Sequence, residues 1–334
     1  MRKSILTIEK VAVGYAVLTS LLTAALWPRL VNPWAMVQTR LWWLLLTVVL
    51  MLGGLWVQRR CRNRERLCLT ADLARVAGQL VWLRYWYPDI YEFNRICPNL
   101  DHLFAAADQW LFGTQPSVTF SRWLTAGLWS ELFNLGYWSY FPMIAVLVIA
   151  VFWQQWQDTT IPDTGTQTNG TVKQGDTQTV AAVILTAFFL YYLLYLLLPV
   201  AGPQFYFQAV GVDEIMAGHF PALGTYFSSH AEMLPAPGNP DGVFYQLVMH
   251  SQEAGERPIA AFPSSHIGIS TIVMLLSRRY VPWLTRWLLP FWFLLCCATV
   301  YIQAHYVVDA LAGLLSAPLV LIMATTIAAR KASN

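Results

Sequence analysis

Phe262-Pro263-Ser264-Ser265-His266 begins the stretch on which the reading of this chain turns, and His305-Tyr306-Val307-Val308-Asp309 ends it. Between them lie two apolar segments joined by the basic turn Ser277-Arg278-Arg279. Apolar runs with ionisable groups only at their mouths are the pattern of membrane helices, because an ionisable side chain inside the bilayer is costly and is retained where it has work to do. Two histidines and one carboxylate occupy those mouths.

Composition extends this reading to the whole chain. Hydrophobic residues make up 57% of the 334 residues and charged residues 12%, against about 25% charged in a soluble domain. The expected fold class is an all-α polytopic membrane protein. The net charge of +3 is small, and its basic residues gather in short loops between apolar runs, where they orient helices; nothing in that pattern is directed at nucleic acid. The five cysteines show no disulfide spacing and are read as unpaired.

Apolar runs over residues 11–27, 41–57, 132–153, 180–198, 264–276, 287–301 and 306–328 are expected spans, the first of them retained and not a cleaved leader. An eighth, 71–86, carries Asp72, Arg75 and Arg84 and is marginal on apolarity alone. Residues 103–112 form an amphipathic pattern suited to an interfacial helix. Residues 154–179 are a polar linker containing the formal sequon Asn169-Gly170-Thr171, and 204–261 form a long loop. This divides the chain into 1–69, two amino-terminal helices with a basic loop, and 70–334, a six-helix unit.

The positive-inside rule supports eight spans over seven. With a cytoplasmic amino terminus, Arg2, Lys3, Lys10, the basic cluster between Arg59 and Arg66, Arg278, Arg279, Arg286, Arg330 and Lys331 all fall on the cytoplasmic side. His266 and His305 then share the opposite, periplasmic or lumenal interface.

His305 and Asp309 are four apart in a helical pattern, so they share a face. A carboxylate there can accept a hydrogen bond from one imidazole nitrogen, fix the tautomer and leave the other nitrogen for attack or proton transfer. His266 follows a Pro-Ser-Ser helix opening in which Ser264 or Ser265 can cap, and helix starts attract phosphate. The combination indicates phosphoryl transfer; His266, His305 and Asp309 as metal ligands are the competing reading, with no further nitrogen or thiolate at ligand spacing.

These residues resemble motifs of the type 2 phosphatidic acid phosphatase superfamily. Phe262-Pro263-Ser264-Ser265-His266 is similar to its PSGH-type second motif, and the stretch from Ala298 to Asp309 matches the spacing of its third motif, SRxxxxxHxxxD. The resemblance implies a six-helix catalytic bundle formed by the last six spans, His305 as the nucleophile that becomes a phosphohistidine, Asp309 as its orienting partner and His266 as general acid. It also implies that Ser264, Ser265 and nearby amides hold the phosphate, with no metal or organic cofactor.

The chain departs from that pattern where the superfamily carries cations. Ala298 and Thr299 replace the Ser-Arg of the third motif, and Pro199-Val200-Ala201-Gly202-Pro203 stands where the KxxxxxxRP of the first would end. Thr299-Val300-Tyr301-Ile302 before His305 resembles the inositol-phosphorylceramide-synthase-like branch instead. A diester donor carries one negative charge where a monoester carries nearly two, so fewer cations suffice. The loop 204–261 adds Asp213, Glu214, Glu232, Asp241, Glu253 and Glu256, a surface suited to a hydroxyl-rich head group. Its one cation, Arg257, either replaces part of the missing charge or pairs with Glu253 or Glu256. Tyr301, Thr299 and Gln303 lie beside the site in sequence. The expected function is transfer of a phospho-polyol head group, phosphoinositol by the resemblance, onto a lipid alcohol such as ceramide. A lipid phosphate phosphatase is the alternative, and a non-catalytic transporter or scaffold the alternative of another class. Expected partners are phospholipid or sphingolipid substrates and the membrane.

Overall fold

A computed structural model describes residues 5–61, 63–159 and 177–333. Arg2, Lys3 and Arg62 of the basic groups, the sequon and most of the polar linker lie outside the described residues. Among those described, every regular element is helical. The helices are α1 (Thr7–Leu26), α2 (Pro33–Arg60), α3 (Glu65–Val81), α4 (Leu83–Asn94), α5 (Asp101–Phe112), α6 (Pro116–Trp123), α7 (Gly127–Trp138), α8 (Tyr140–Asp158), α9 (Thr177–Leu197), α10 (Pro203–Val210), α11 (Val212–Met216), α12 (Val243–Gly255), α13 (Ser265–Tyr280), α14 (Pro282–Tyr301) and α15 (Val307–Ser333).

Five of these, α1, α2, α9, α14 and α15, are long and apolar enough to cross a membrane. Helices α7 and α8 make a sixth if taken as one span, bent by 46°. The bend falls at Ser139, whose hydroxyl bonds back to the Gly136 carbonyl at 2.7 Å, just ahead of Pro142, which has no N–H to donate. The protein is thus an all-α integral membrane protein. The count of eight is not reached by length and apolarity because α3 has 17 residues and α13 only 16.

Both short helices nonetheless run inside the bundle. Arg75 on α3 meets Glu9 near the start of α1, Trp86 on α4 packs edge-on against Phe189 in the middle of α9, and Asn94 donates to the Tyr195 carbonyl near the end of α9. Helices α3 and α4 therefore follow α9 along most of its length. Helix α13 buries Ile267, Ile269, Ile272, Val273 and Leu276 against α8, α9, α14 and α15. Enclosure by other helices lets it stay short, since little of it faces lipid.

Helix α9 is the central post. Its apolar window is 72% buried, against 17–33% for the other four long helices, and it touches α1, α3, α4, α8, α13 and α15. A helix apolar all round is one packed on all sides; here Tyr15 of α1 stacks on Phe189 at 3.8 Å between ring centres. The amphipathic pattern at 103–112 is realised as α5. The long loop is more ordered than its composition indicates: it contains α10, α11 and α12. Helix α12 is held from outside, the Glu131 carboxylate accepting the Phe244 and Tyr245 N–H groups at 3.0 Å each, a cap supplied by another helix.

Candidate active site

Helix α13 begins with Ser264, whose hydroxyl accepts the Ile267 N–H as an N-cap. The Ser264 N–H donates to the Asp309 carbonyl at 3.0 Å, and a side chain on Gly313 would collide with the Ser264 carbonyl. The starts of α13 and α15 thus touch backbone to backbone, and this contact brings the two histidines together. His266 Nδ1 and His305 Nε2 are 3.3 Å apart.

His305 sits in the tight turn between α14 and α15, with Gln303 just before it at a φ of +63°. Its N–H donates to the Thr299 carbonyl at 3.0 Å. Its Nδ1 lies 2.8 Å from the Ala261 carbonyl oxygen. A carbonyl only accepts, so Nδ1 carries the proton and Nε2 carries the lone pair. The hydrogen bond between the rings is then donated by His266 Nδ1. In this arrangement the Nε2 lone pair of His305 already faces a proton donor.

The carboxylate of Asp309 does not hold the tautomer as its spacing led one to expect. Asp309 Oδ2 stands 3.7 Å from His305 Nδ1, beyond hydrogen-bond reach, and accepts the Tyr306 N–H at 2.9 Å instead. Its role toward the ring is electrostatic, while orientation falls to Ala261. That residue follows Ala260, at a φ of +70°, and its own N–H donates to the Val200 carbonyl at 3.0 Å.

His305 is 3% exposed, and burial pushes its imidazole down to about 4, with the Ala261 carbonyl acting in the opposite sense. The ring is neutral, with a free lone pair, at neutral pH. Because the folded value lies below the unfolded value of about 6.5, the unfolded chain takes up the proton first as pH falls. The contribution to stability is complete above about pH 6.5 and is lost toward pH 4. We expect thermal unfolding in detergent to show a wild-type loss of roughly 3 kcal/mol over that interval relative to His305→Gln; identical pH dependence of the two proteins would contradict it.

His266 is flanked by two tyrosines that sequence reasoning did not single out. Tyr137 stacks on it at 4.7 Å and Tyr140 lies at 4.6 Å. A third, Tyr195, accepts the Ser265 N–H and donates to the Pro263 carbonyl, so that amide of the helix start is engaged within the protein.

The remaining sequence candidates divide. Ser264 and Ser265 are in place beside His266. Thr299 is fully buried with its hydroxyl on the Cys296 carbonyl, and Tyr301 is fully buried with its hydroxyl on the Leu124 carbonyl, among Phe120 and Phe133. Both side chains serve packing of α14. Arg257 bonds through Nη1 to the Glu256 carbonyl at 2.7 Å and makes no hydrogen bond to His266 or His305. Of the loop acids, Asp213, Glu214, Glu232, Asp241 and Glu253 are exposed to solvent, and only Glu256 turns inward, to the Tyr87 hydroxyl at 3.0 Å. Burial raises Glu256 to about 7.

A family model described as the PAP2 superfamily matches residues 171–323, just under half of the chain. No curated protein and no solved structure matches. The matched stretch holds His266, His305 and Asp309 together with α9, α13, α14 and most of α15, and this match to the PAP2 superfamily supports phosphatase or phosphotransferase activity of the kind that superfamily carries.

Proposed function

We propose that the protein moves a phospho-polyol head group, phosphoinositol in the first instance, from a phospholipid onto a lipid alcohol such as ceramide. The supporting observation is a lack of positive charge. Among the described residues no lysine or arginine hydrogen-bonds or ion-pairs with Ser264, Ser265, His266, His305 or Asp309. Transfer from a dianionic monoester relies on cations to neutralise it, whereas a monoanionic diester makes a smaller demand.

In the first half-reaction His305 Nε2 attacks phosphorus, the bond from phosphorus to the diacylglycerol oxygen breaks, and His266 protonates that oxygen. In the second, His266 takes the proton of the incoming hydroxyl, the new oxygen–phosphorus bond forms, and the nitrogen–phosphorus bond returns its electron pair to His305. The inter-ring hydrogen bond has to open first, because phosphorus must enter where the two nitrogens now meet. Asp309, and the Ala261 carbonyl on Nδ1–H, stabilise the positive charge that the ring acquires.

Residues 70–334 form the catalytic unit in this reading, and 1–69 support it. Both termini lie on the cytoplasmic side and the site on the other. In support, Lys10 near the start of α1 donates to the Lys331 carbonyl at the end of α15 at 3.1 Å, so the two basic ends share one face, while the starts of α13 and α15 carry the histidines at the opposite end.

Purified protein in detergent, given head-group-labelled phosphatidylinositol with ceramide or diacylglycerol, is expected to place label on the acceptor lipid. Release of inorganic phosphate from phosphatidic acid, with no head-group transfer, would show the site to be a phosphatase.

A further inference from the structure

Helix α5 carries two buried carboxylates that the chemistry above does not use. Asp101 and Asp108 are both inaccessible to solvent, seven residues apart, hence on one face about 10 Å from each other along the axis. Among the described residues neither is ion-paired with a lysine or arginine; Asp101 is met by donors from two other segments and Asp108 by donors from one. Asp101 accepts the Ala201 and Gly202 N–H groups at 2.6 and 2.8 Å and the Tyr306 hydroxyl at 2.9 Å. Asp108 accepts the Val307 and Val308 N–H groups at 2.8 and 3.0 Å.

We propose that Asp101 and Asp108 are positioning residues for the His305 imidazole. This deepens the phosphohistidine reading and rests on it. The connections converge on one ring from two directions. Asp101 holds the 201–202 turn; the adjoining Val200 carbonyl accepts the Ala261 N–H; and the Ala261 carbonyl accepts His305 Nδ1–H. Gly202, at a φ of +100°, lies so close that a side chain there would sit 2.7 Å from the Ala304 carbonyl oxygen, so that turn and the His305 turn move as one body. From the other side, Asp108 caps the first turn of α15, fixing the backbone two residues after His305. Capping by a carboxylate also satisfies the positive end of α15 from within the protein. Substrate phosphate is then left to the histidines.

A carboxylate that only stabilised the fold would leave a folded variant with an unchanged ring. Two readouts separate these roles. In detergent, carbethoxylation of His305 by diethyl pyrocarbonate, followed by mass spectrometry, is expected to quicken about tenfold in Asp108→Ala, as its turn loosens. The exposed His219 and His250 should keep their rates. In the head-group transfer assay the same variant is expected to lose about 10²-fold in kcat with KM within about threefold, since misplacement by an ångström costs that much. Asp108→Asn, which keeps one acceptor and nearly the same shape, should fall between; Asp101→Asn serves as the corresponding variant at the other end of α5. An unchanged His305 labelling rate in a folded Asp108→Ala protein overturns the inference, as does an unchanged kcat. If labelling quickens while the wild type transfers no head group, the placement of His305 stands and the proposed reaction is the part that fails.

Discussion

His305→Ala is expected to abolish turnover, lowering kcat by at least about 10⁴-fold, because in the proposed reaction it removes the atom that bonds to phosphorus. The comparison that gives this result meaning is His266→Ala. In the proposed reaction His266 supplies a proton to the leaving oxygen, so its loss should be severe with a diacylglycerol leaving group and mild with nitrophenolate, which departs without protonation. Measured on a phospholipid and on a nitrophenyl phosphodiester, His305→Ala is expected to be dead on both and His266→Ala to recover at least about 10²-fold on the second. Equal defects of His266→Ala on both substrates would remove it from the acid role. Asp309→Asn should be the mildest of the three, with about 10²-fold lost. Its Oδ2 is 3.7 Å from Nδ1, and the tautomer is already held by Ala261 at 2.8 Å. Residual activity in His305→Ala comparable to wild type would place the nucleophile elsewhere.

The parts of this site that lie close in sequence were legible there. A histidine and a carboxylate four apart, a Ser-Ser opening before His266 and long apolar runs each have a local signature, because helical periodicity and capping are local physics. What was hidden comes from far along the chain. Ala261 and His305 are separated by 44 residues, and no residue type announces that its carbonyl will accept an imidazole proton. Asp101 and Asp108 lie 100 or more residues from the amides they bind; their one trace in the sequence is a pair of acids seven apart on an amphipathic helix, a pattern equally consistent with a solvated face. Thr299 and Tyr301 show the converse error. Nearness to His305 in sequence made them site candidates, but α14 points both side chains into its packing. The expected 71–86 span was shifted for a related reason: apolarity alone undervalues a helix whose arginine is matched by a glutamate from another helix.

That match carries the second large effect. Glu9→Ala is expected to destabilise the protein by about 3–5 kcal/mol, the range seen when one partner of a buried ion pair is removed. The Arg75 side chain is 1% exposed and is gripped at two points, Nε to Glu9 Oε1 at 2.7 Å and Nη2 to Glu9 Oε2 at 2.6 Å. Its stem fills space that Gly54 of α2 leaves open, where a Cβ would come within 2.8 Å of Arg75 Cδ. Asp72, at 3.5 Å from Nη1, replaces only part of what Glu9 supplies. Helices α1, α2 and α3 thus meet at one guanidinium, and α1 in turn packs on α9 and α15. If the amino-terminal helices were a passive anchor, Glu9→Ala would destabilise the detergent-solubilised protein, measured by thermal unfolding, no more than loss of an exposed pair does, by under about 1 kcal/mol. A loss in the larger range, mostly recovered in Glu9→Leu/Arg75→Met, would show that the penalty is an unpaired buried charge. It would also show that residues 1–69 are part of the fold that supports the site, since the α9 and α15 surfaces against which α1 rests lead directly to the 199–203 turn and to His305.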